Sequence, residues 1–600
     1  MSGIIGYIGQ NEAQAIVLTG LKRLEFRGYN SAGLALIQDG TITIYKEKGN
    51  LAQLEKQLDG VKNQATAGLG HTCWANPSTS KLEDAHPQQS YTGRYTLVLD
   101  GTIDNMNELI DIYLANIKRE SDTAAEVVAH LMDHFSGQGL NTEEALRQVL
   151  CKLEGTFALL LVDKEDPSRL YAAKYKRPLL VGIGEGEMMV ASESTAMLHV
   201  TNRFKDLKDG EYVLFDRNRL VIKNMEGEAV QREAYTVEWD SSSVDTGNYE
   251  HYMLKEIDEQ PAVIRELISQ YYDEKGRSKL GDSLSGLVMP ERIHIVACGT
   301  SYHAGLVGKR FLERIARIPT QVHIASEFLY DQILIEGKPL FIFISQSGET
   351  ADTRGVLDKI KQQGYPTLTV TNVQSSTMYR EADFKLLTHA GPEIAVASTK
   401  AYTAQVAVLA MLSTYLAAQK GLESPVQLIQ ELNAVAAAIE TLVAQKEKAK
   451  AIAHTYLANQ KRCFFMGRLQ DYAVCLEAAL KLKETSYIQA EGYASGELKH
   501  GPIALIEEGT PVFVLITQDD IAKNTRNNAE EVKARGANTC VIAREGLDQK
   551  GDTWVLPQVY PLLMPMVAII PFQLVAYYAA LERGCDVDKP RNLAKSLTSE

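Results

Sequence analysis

Leu340-Phe341-Ile342-Phe343-Ile344-Ser345-Gln346-Ser347-Gly348-Glu349-Thr350 is the stretch whose reading decides the fold. Five apolar residues, mostly β-branched or aromatic, describe a strand buried on both faces. They run into a turn of hydroxyls, one amide and one glycine. Beyond it, Ala351, Val356, Leu357 and Ile360 have the apolar spacing of a helix. Ser347 is the predicted N-cap, and Gly348 lets the backbone approach a ligand closely. A strand end feeding a helix N-terminus among several hydroxyls is a seat for a phosphate. The turn has neither a Walker lysine nor G-x-G-x-x-G, so a nucleotide is not its expected occupant.

Outward from this turn, strands such as Ile293–Ala297 alternate with helices, the pattern of a parallel doubly wound sheet. Ser424-Pro425 opens an Ala-, Leu- and Glu-rich helical stretch to about 458. The alternation resumes at Cys463–Gly467 and Pro511–Ile516. Residues 290–425 and 460–585 are therefore expected to be two copies of one αβα unit, joined by helices over 426–459. Residues 1–239 differ. Asp39-Gly40 between two alternating runs predicts a hairpin, and further short apolar runs predict two face-to-face sheets with helices outside at Ala13–Leu24 and Ala124–His134. Polar residues 238–250 open a linker with lead-in helices over 240–289, and a polar tail, expected to fray, occupies 586–600.

Hydrophobic content of 45% and charged content of 23% are those of a globular protein, and a net charge of −14 argues against nucleic-acid or anionic-membrane partners. Seven scattered cysteines without C-x-x-C spacing suggest reduced thiols in a cytoplasmic protein, with no zinc site. Trp554–Leu581 is long and apolar enough to span a membrane. Pro557, Pro561, Pro565 and Pro571 interrupt it, so a buried strand, turn and helix is expected instead. Nothing in the chain calls for a metal or a cofactor.

Several motifs in order give the chain a strong resemblance, along nearly its whole length, to the glutamine:fructose-6-phosphate amidotransferase (glucosamine-6-phosphate synthase) family. They are Arg27-Gly28-Tyr29, Cys298-Gly-Thr-Ser-Tyr302, Ser345–Thr350, Val396-Ala-Ser-Thr-Lys400, Lys481-Leu-Lys-Glu484, Gly496-Glu-Leu-Lys-His500 and Asp586–Lys595. The resemblance implies an α/β and α+β architecture: an N-terminal Ntn-hydrolase-like αββα sandwich followed by two tandem sugar-isomerase (SIS) αβα units. It implies that the phosphate of a hexose 6-phosphate sits against Ser301, Ser345, Gln346, Ser347 and Thr350, with Thr300, Val396 and Ser398 lining the sugar. Lys595 matches the lysine that forms a Schiff base at C2, Glu484 the base that moves a proton between C1 and C2, and Lys481 its neighbour. His500 matches the ring-opening histidine, supplied in the family across a homodimer interface. These residue types suit the chemistry. A carboxylate can shuttle a proton α to a carbonyl, an imidazole works near neutral pH, and a desolvated lysine is a carbonyl nucleophile.

The other half departs from the family where it matters. The family's terminal cysteine is Ser2 here. The arginine of H-T-R-W-A-T-H-G, which holds the glutamine carboxylate, is Cys73, and Pro77 and Ser78 replace the histidine and glycine. The oxyanion asparagine falls on Asp100, and the aspartate that holds the glutamine ammonium falls on Ala124. Trp74, the family's channel gate, is kept. Serine can act as a terminal nucleophile, so Ser2 alone leaves activity open. Losing one oxyanion donor costs roughly 10²–10³ in rate, and losing one partner of a buried charge contact about 2–5 kcal/mol. The expectation is an inactive glutaminase half beside an intact isomerase half that uses free ammonia or only interconverts hexose phosphates. The alternative is a non-catalytic hexose-phosphate sensor or regulatory partner of an active paralogue.

Overall fold

The Pro339–Ser345 strand lies at the centre of a five-stranded sheet whose order is Thr320–Ile324, Arg292–Ala297, Pro339–Ser345, Thr367–Thr371, Phe384–Leu387. Every neighbouring pair is parallel. Residues 339–345 are all buried, because helices cover both faces of such a sheet. The computed structural model describes residues 2–73, 81–237, 245–332 and 334–596. They fall into two units, Met1–Asp245 with Ser596–Glu600, and Thr246–Lys595.

The larger unit holds a second parallel sheet in the same order: Gln489–Ala494, Arg462–Gly467, Pro511–Ile516, Asn538–Arg544, Trp554–Leu556. In each sheet the chain steps from its second strand to one side and then to the other. This creates a switch point at the carboxyl ends, where doubly wound sheets hold their ligands. Helices Leu428–Val443 and Lys446–Leu457 join the two halves. Trp554 to Glu582 forms a strand, a short turn at Pro561–Leu563 and the helix Met564–Glu582, which accommodates Pro571 in its interior. Among the described residues, two helices are long and apolar enough to cross a membrane, Lys400–Gln419 and Pro561–Glu582, but 83% and 89% of their apolar windows are buried inside the protein. Both are core helices.

The tail is anchored rather than frayed as far as it is described. Val587 is fully buried, the Asp588 carbonyl accepts the Val396 N–H at 2.9 Å, and the Arg591 N–H donates to the Tyr487 hydroxyl at 2.7 Å. Its polar residues make fixed backbone contacts, which hydrophobic periodicity does not reveal.

The smaller unit contains an eight-stranded and a six-stranded sheet. Ile4, Leu69, Val98, Leu160, Val190 and Val213, drawn from both, share one buried cluster between them. Helices Ala124–Ser136 and Thr142–Leu150 pack on the outer face of the six-stranded sheet, and Ala13–Leu24 packs against the strands Ser2–Ile8 and Ala67–Cys73 of the other. Ser31–Gln38 and Thr41–Lys48 form the expected hairpin, with Asp39 and Gly40 both at positive φ.

Candidate active site

Two carboxyl-end turns of the first parallel sheet face its switch point. After Ser345 the chain does not enter the helix at once. Gly348 takes φ +66°, and a Cβ there would lie 2.1 Å from Ser376 Oγ, so only glycine fits this close approach. The left-handed step delays the helix. Its N-cap is Thr350, not Ser347 as the spacing suggested, and the Ser347 hydroxyl accepts the Glu349 N–H at 3.2 Å. Ser345 Oγ accepts the Gly348 N–H at 3.0 Å and lies 2.9 Å from Thr350 Oγ1. The Gln346 carbonyl is tied to the Asn372 N–H and the Thr371 hydroxyl. Hydroxyls and amides thus form a small cradle at a helix start, a geometry suited to phosphate. From the neighbouring turn, Ser301 Oγ accepts a hydrogen bond from Gln405 Nε2 at 3.0 Å.

A charged cluster joins the two halves. Lys481 and Glu484 lie on helix Gln470–Ser486, three residues apart, with Nζ and Oε2 at 2.6 Å. Lys481 Nζ also donates to Thr300 Oγ1 at 3.0 Å, and Thr300 donates to Glu477 Oε1 at 2.9 Å. Glu477 is fully buried and binds His303 Nδ1 at 2.7 Å. Burial pulls the Lys481 pKa down, but Glu484 and Glu477 outweigh it and hold the amine above its ordinary value. The cluster offers a held cation beside a partly exposed carboxylate, which can move a proton next to a carbonyl.

Lys595 Nζ lies 2.5 Å from Glu393 Oε2 and 3.1 Å from Ser398 Oγ. Glu393 also accepts the Thr399 and Ala401 N–H groups. Burial would raise the Glu393 pKa, yet the Lys595 charge and these donors hold it below the ordinary range. The same loop presents Val396. The structure thus brings Lys481 and Glu484 to Thr300, and Lys595 to Ser398. It leaves His500 exposed at the end of the Glu497–Lys499 turn, where its N–H donates to the Glu497 carbonyl. Sequence reading missed Glu477, His303, Glu393 and Gln405. Only Glu477 carried a signal, standing four residues before Lys481 on one helix face.

In the smaller unit, Ser2 starts the strand Ser2–Ile8 and is in register with Cys73, which is also in register with Ser31. Burial raises the Cys73 thiol pKa against the opposing pull of the Ser2 and Ser31 hydroxyls. Asp100, fully buried on the strand Tyr95–Ile103, accepts the Ser2 N–H at 2.9 Å and pairs with Arg27 at 3.4 Å. Arg27 also donates to the Ser2 carbonyl and pairs with Glu193 at 2.8 Å. Asp100 is therefore not an isolated buried charge, since Arg27 pairs with it. Gly101 takes φ +132°, and a Cβ there would stand 1.9 Å from the Thr156 carbonyl. Behind the strands, the His71 and His86 rings lie 4.1 Å apart between centres, tilted by 37°; burial pushes His71 down to about 4 and His86 well below its ordinary value. Ala124 opens its helix behind the Thr123 N-cap, whose hydroxyl accepts the Glu126 N–H. Trp74, Pro77 and Ser78 lie outside the described residues.

Comparison with known proteins agrees with both halves. A family profile for the SIS domain matches residues 286–415 and 456–583, and one for a glutamine amidotransferase domain matches 78–199. The chain is 53% identical over 601 residues to the glutamine–fructose-6-phosphate aminotransferase [isomerizing] of Geobacillus kaustophilus, and 54% over 602 residues to that of Halalkalibacterium halodurans, covering all of each chain. The solved C-terminal domain of glucosamine-fructose-6-phosphate aminotransferase from Francisella tularensis is 36% identical. It superposes with a TM-score of 0.54, covering 58% of this chain and 100% of that one. By this full-length identity, the chain belongs to the glutamine–fructose-6-phosphate aminotransferase (isomerizing) family of enzymes.

Proposed function

We propose that the protein aminates and isomerises fructose 6-phosphate using free ammonia, because its glutaminase half does not hydrolyse glutamine. The 345–350 turn with Ser301 would bind the phosphate, and Thr300, Val396 and Ser398 would line the sugar. Lys595 attacks C2 of the open-chain sugar to give a Schiff base with loss of water, and ammonia then adds at C2 and displaces the lysine amine, leaving the sugar imine. Glu484 takes the proton from one carbon and returns it to the other, with Lys481 beside it. His500 opens the ring from the partner subunit of a homodimer. The domain limits read from the sequence, 1–239, 240–289, 290–425, 426–459, 460–585 and 586–600, and a cytoplasmic location belong to the same proposal.

The observation that carries the nitrogen source is the Ser2–Asp100–Arg27 contact. Both Asp100 oxygens are engaged as acceptors, so this position has no N–H to offer an oxyanion, where loss of one donor costs roughly 10²–10³ in rate. Cys73 and Ala124 remove the two charges that the family uses to hold glutamine.

The test is purified protein with fructose 6-phosphate plus glutamine, ammonium or neither. Glucosamine 6-phosphate from ammonium alone is expected. Equal product from glutamine overturns the inactive-glutaminase reading. Glucose 6-phosphate alone means an isomerase, and silence in all three arms points to a hexose-phosphate sensor or to a regulatory partner of an active paralogue.

A further inference from the structure

Three separate elements meet around Lys595. Helix Tyr252–Asp258 begins with two N–H groups that both donate to Asp588: Tyr252 to Oδ2 at 2.9 Å and Met253 to Oδ1 at 2.8 Å. One turn further, the fully buried Glu256 accepts from Ile394 N–H at 2.5 Å and Ala395 N–H at 3.1 Å through the same oxygen, Oε1. The loop so held returns to the tail twice. Val396 N–H donates to the Asp588 carbonyl at 2.9 Å, and Glu393 and Ser398 hold Lys595 Nζ. The circuit is closed: tail to helix, helix to loop, loop to tail and to the amine.

We infer that Glu256 and Asp588 are positioning residues that clasp the tail and the 393–398 loop together, so that the Lys595 amine is held at one place in the site. The inference rests on the proposed role of Lys595 as the Schiff-base nucleophile. Neither residue need touch the sugar. Glu256 acts through two amides of the loop whose Glu393 holds the amine, and Asp588 acts through the helix start and the tail backbone. A displacement of about 1 Å at a reacting group can cost on the order of 10²-fold in rate, so two carboxylates remote from the chemistry can govern it. The phosphate cradle lies on a different element, residues 345–350, which separates their effect from substrate binding. An amide at 256 keeps an oxygen able to accept both loop N–H groups, and Glu256 Oε2 accepts no hydrogen bond among the described residues, so its replacement by NH₂ breaks no contact.

The test compares wild type with Glu256→Leu, Glu256→Gln and Asp588→Asn in the full chain. Three readouts are taken: isomerisation kinetics, sodium borohydride trapping of fructose 6-phosphate on Lys595 by peptide mass spectrometry, and hydrogen exchange of peptides covering 586–596. Glu256→Leu and Asp588→Asn are expected to lower kcat and trapping on the order of 10²-fold with KM little changed, and to speed exchange in the tail. Glu256→Gln is expected to restore most of the activity. Trapping at the wild-type rate in Glu256→Leu and Asp588→Asn overturns the clasp, as does a rate loss matched by a rise in KM, or a Glu256→Gln variant as poor as Glu256→Leu. If Glu256→Leu does not fold, Asp588→Asn carries the same readouts. Failure of wild type to trap sugar sinks the Schiff-base reading instead. The clasp is then decided by hydrogen exchange, faster in the variants if it exists and unchanged if it does not.

Discussion

The two parallel halves share one strand order, yet their corresponding turns have opposite chemistry. In the first half, the turn after Pro339–Ser345 is lined by the hydroxyls of Ser345, Ser347 and Thr350 around Gly348. In the second, the turn after Pro511–Ile516 is filled from within. The buried Asp471 accepts the Thr517 N–H at 2.8 Å and its hydroxyl as well, and Arg544 pairs with Asp519 at 2.6 Å. A carboxylate already occupies the place where an anion would seat. The second half contributes instead the helix bearing Lys481 and Glu484. On the proposed function, one architecture used twice would divide the work, the first copy offering the anion cradle and the second the proton-transfer groups.

If that division is right, substitutions in the two halves must fail in different ways. The largest effect is expected at Glu484→Gln, which should lower kcat for isomerisation roughly 10²–10⁴-fold while hexose-phosphate binding, measured by calorimetry, persists. Loss of binding along with the rate would remove the separation. Next, Ser347→Ala should raise KM for fructose 6-phosphate about 10-fold, the cost of one hydrogen bond to a charged group, with kcat nearly unchanged. An unaltered KM would show that the turn does not hold the phosphate. Thr517→Val in the second half should instead cost about 1–3 kcal/mol of stability by stripping a donor from buried Asp471, seen in denaturant melts, with kinetic constants untouched. A change in KM there would mean that both turns bind substrate.

The smallest effect sharpens the plugged turn. Burial pushes Asp471 up to about 7 from an ordinary 3.8, against the pull of the Thr517 donors. Folding therefore favours the protonated acid, and that contribution is complete below about pH 4 and lost as pH rises through about 7. Wild-type stability relative to Asp471→Asn should fall across this window and level off above it. A flat difference in paired thermal melts would show that Asp471 titrates as an exposed carboxylate does.

Much of this was legible beforehand for reasons that can be named. The apolar run 340–344, the Asp39-Gly40 turn and the proline-interrupted 554–581 segment are local signals, and local signals fix local elements. Ser347 is the instructive miss. Capping chemistry suited it, but Gly348 packs against Ser376, twenty-eight residues away in sequence, and this contact delays the helix to Thr350. Asp100 is a second case. Its position forecast a lost donor, whereas its pairing with Arg27 and the Ser2 N–H required strands from two sheets.

By itself, the sequence determined the two parallel repeats, the chemically distinct N-terminal unit, and the residue types of the proposed isomerase site, because hydrophobic period, turn chemistry and motif order are written along the chain. Only the tertiary structure decided how charges are paired. Glu393 holding Lys595, Glu477 accepting from Thr300, and Glu256 and Asp588 fastening the tail all involve partners far apart in sequence. The physical reason is burial: a buried carboxylate must find donors, and which donors come within reach is settled by packing, not by neighbours along the chain.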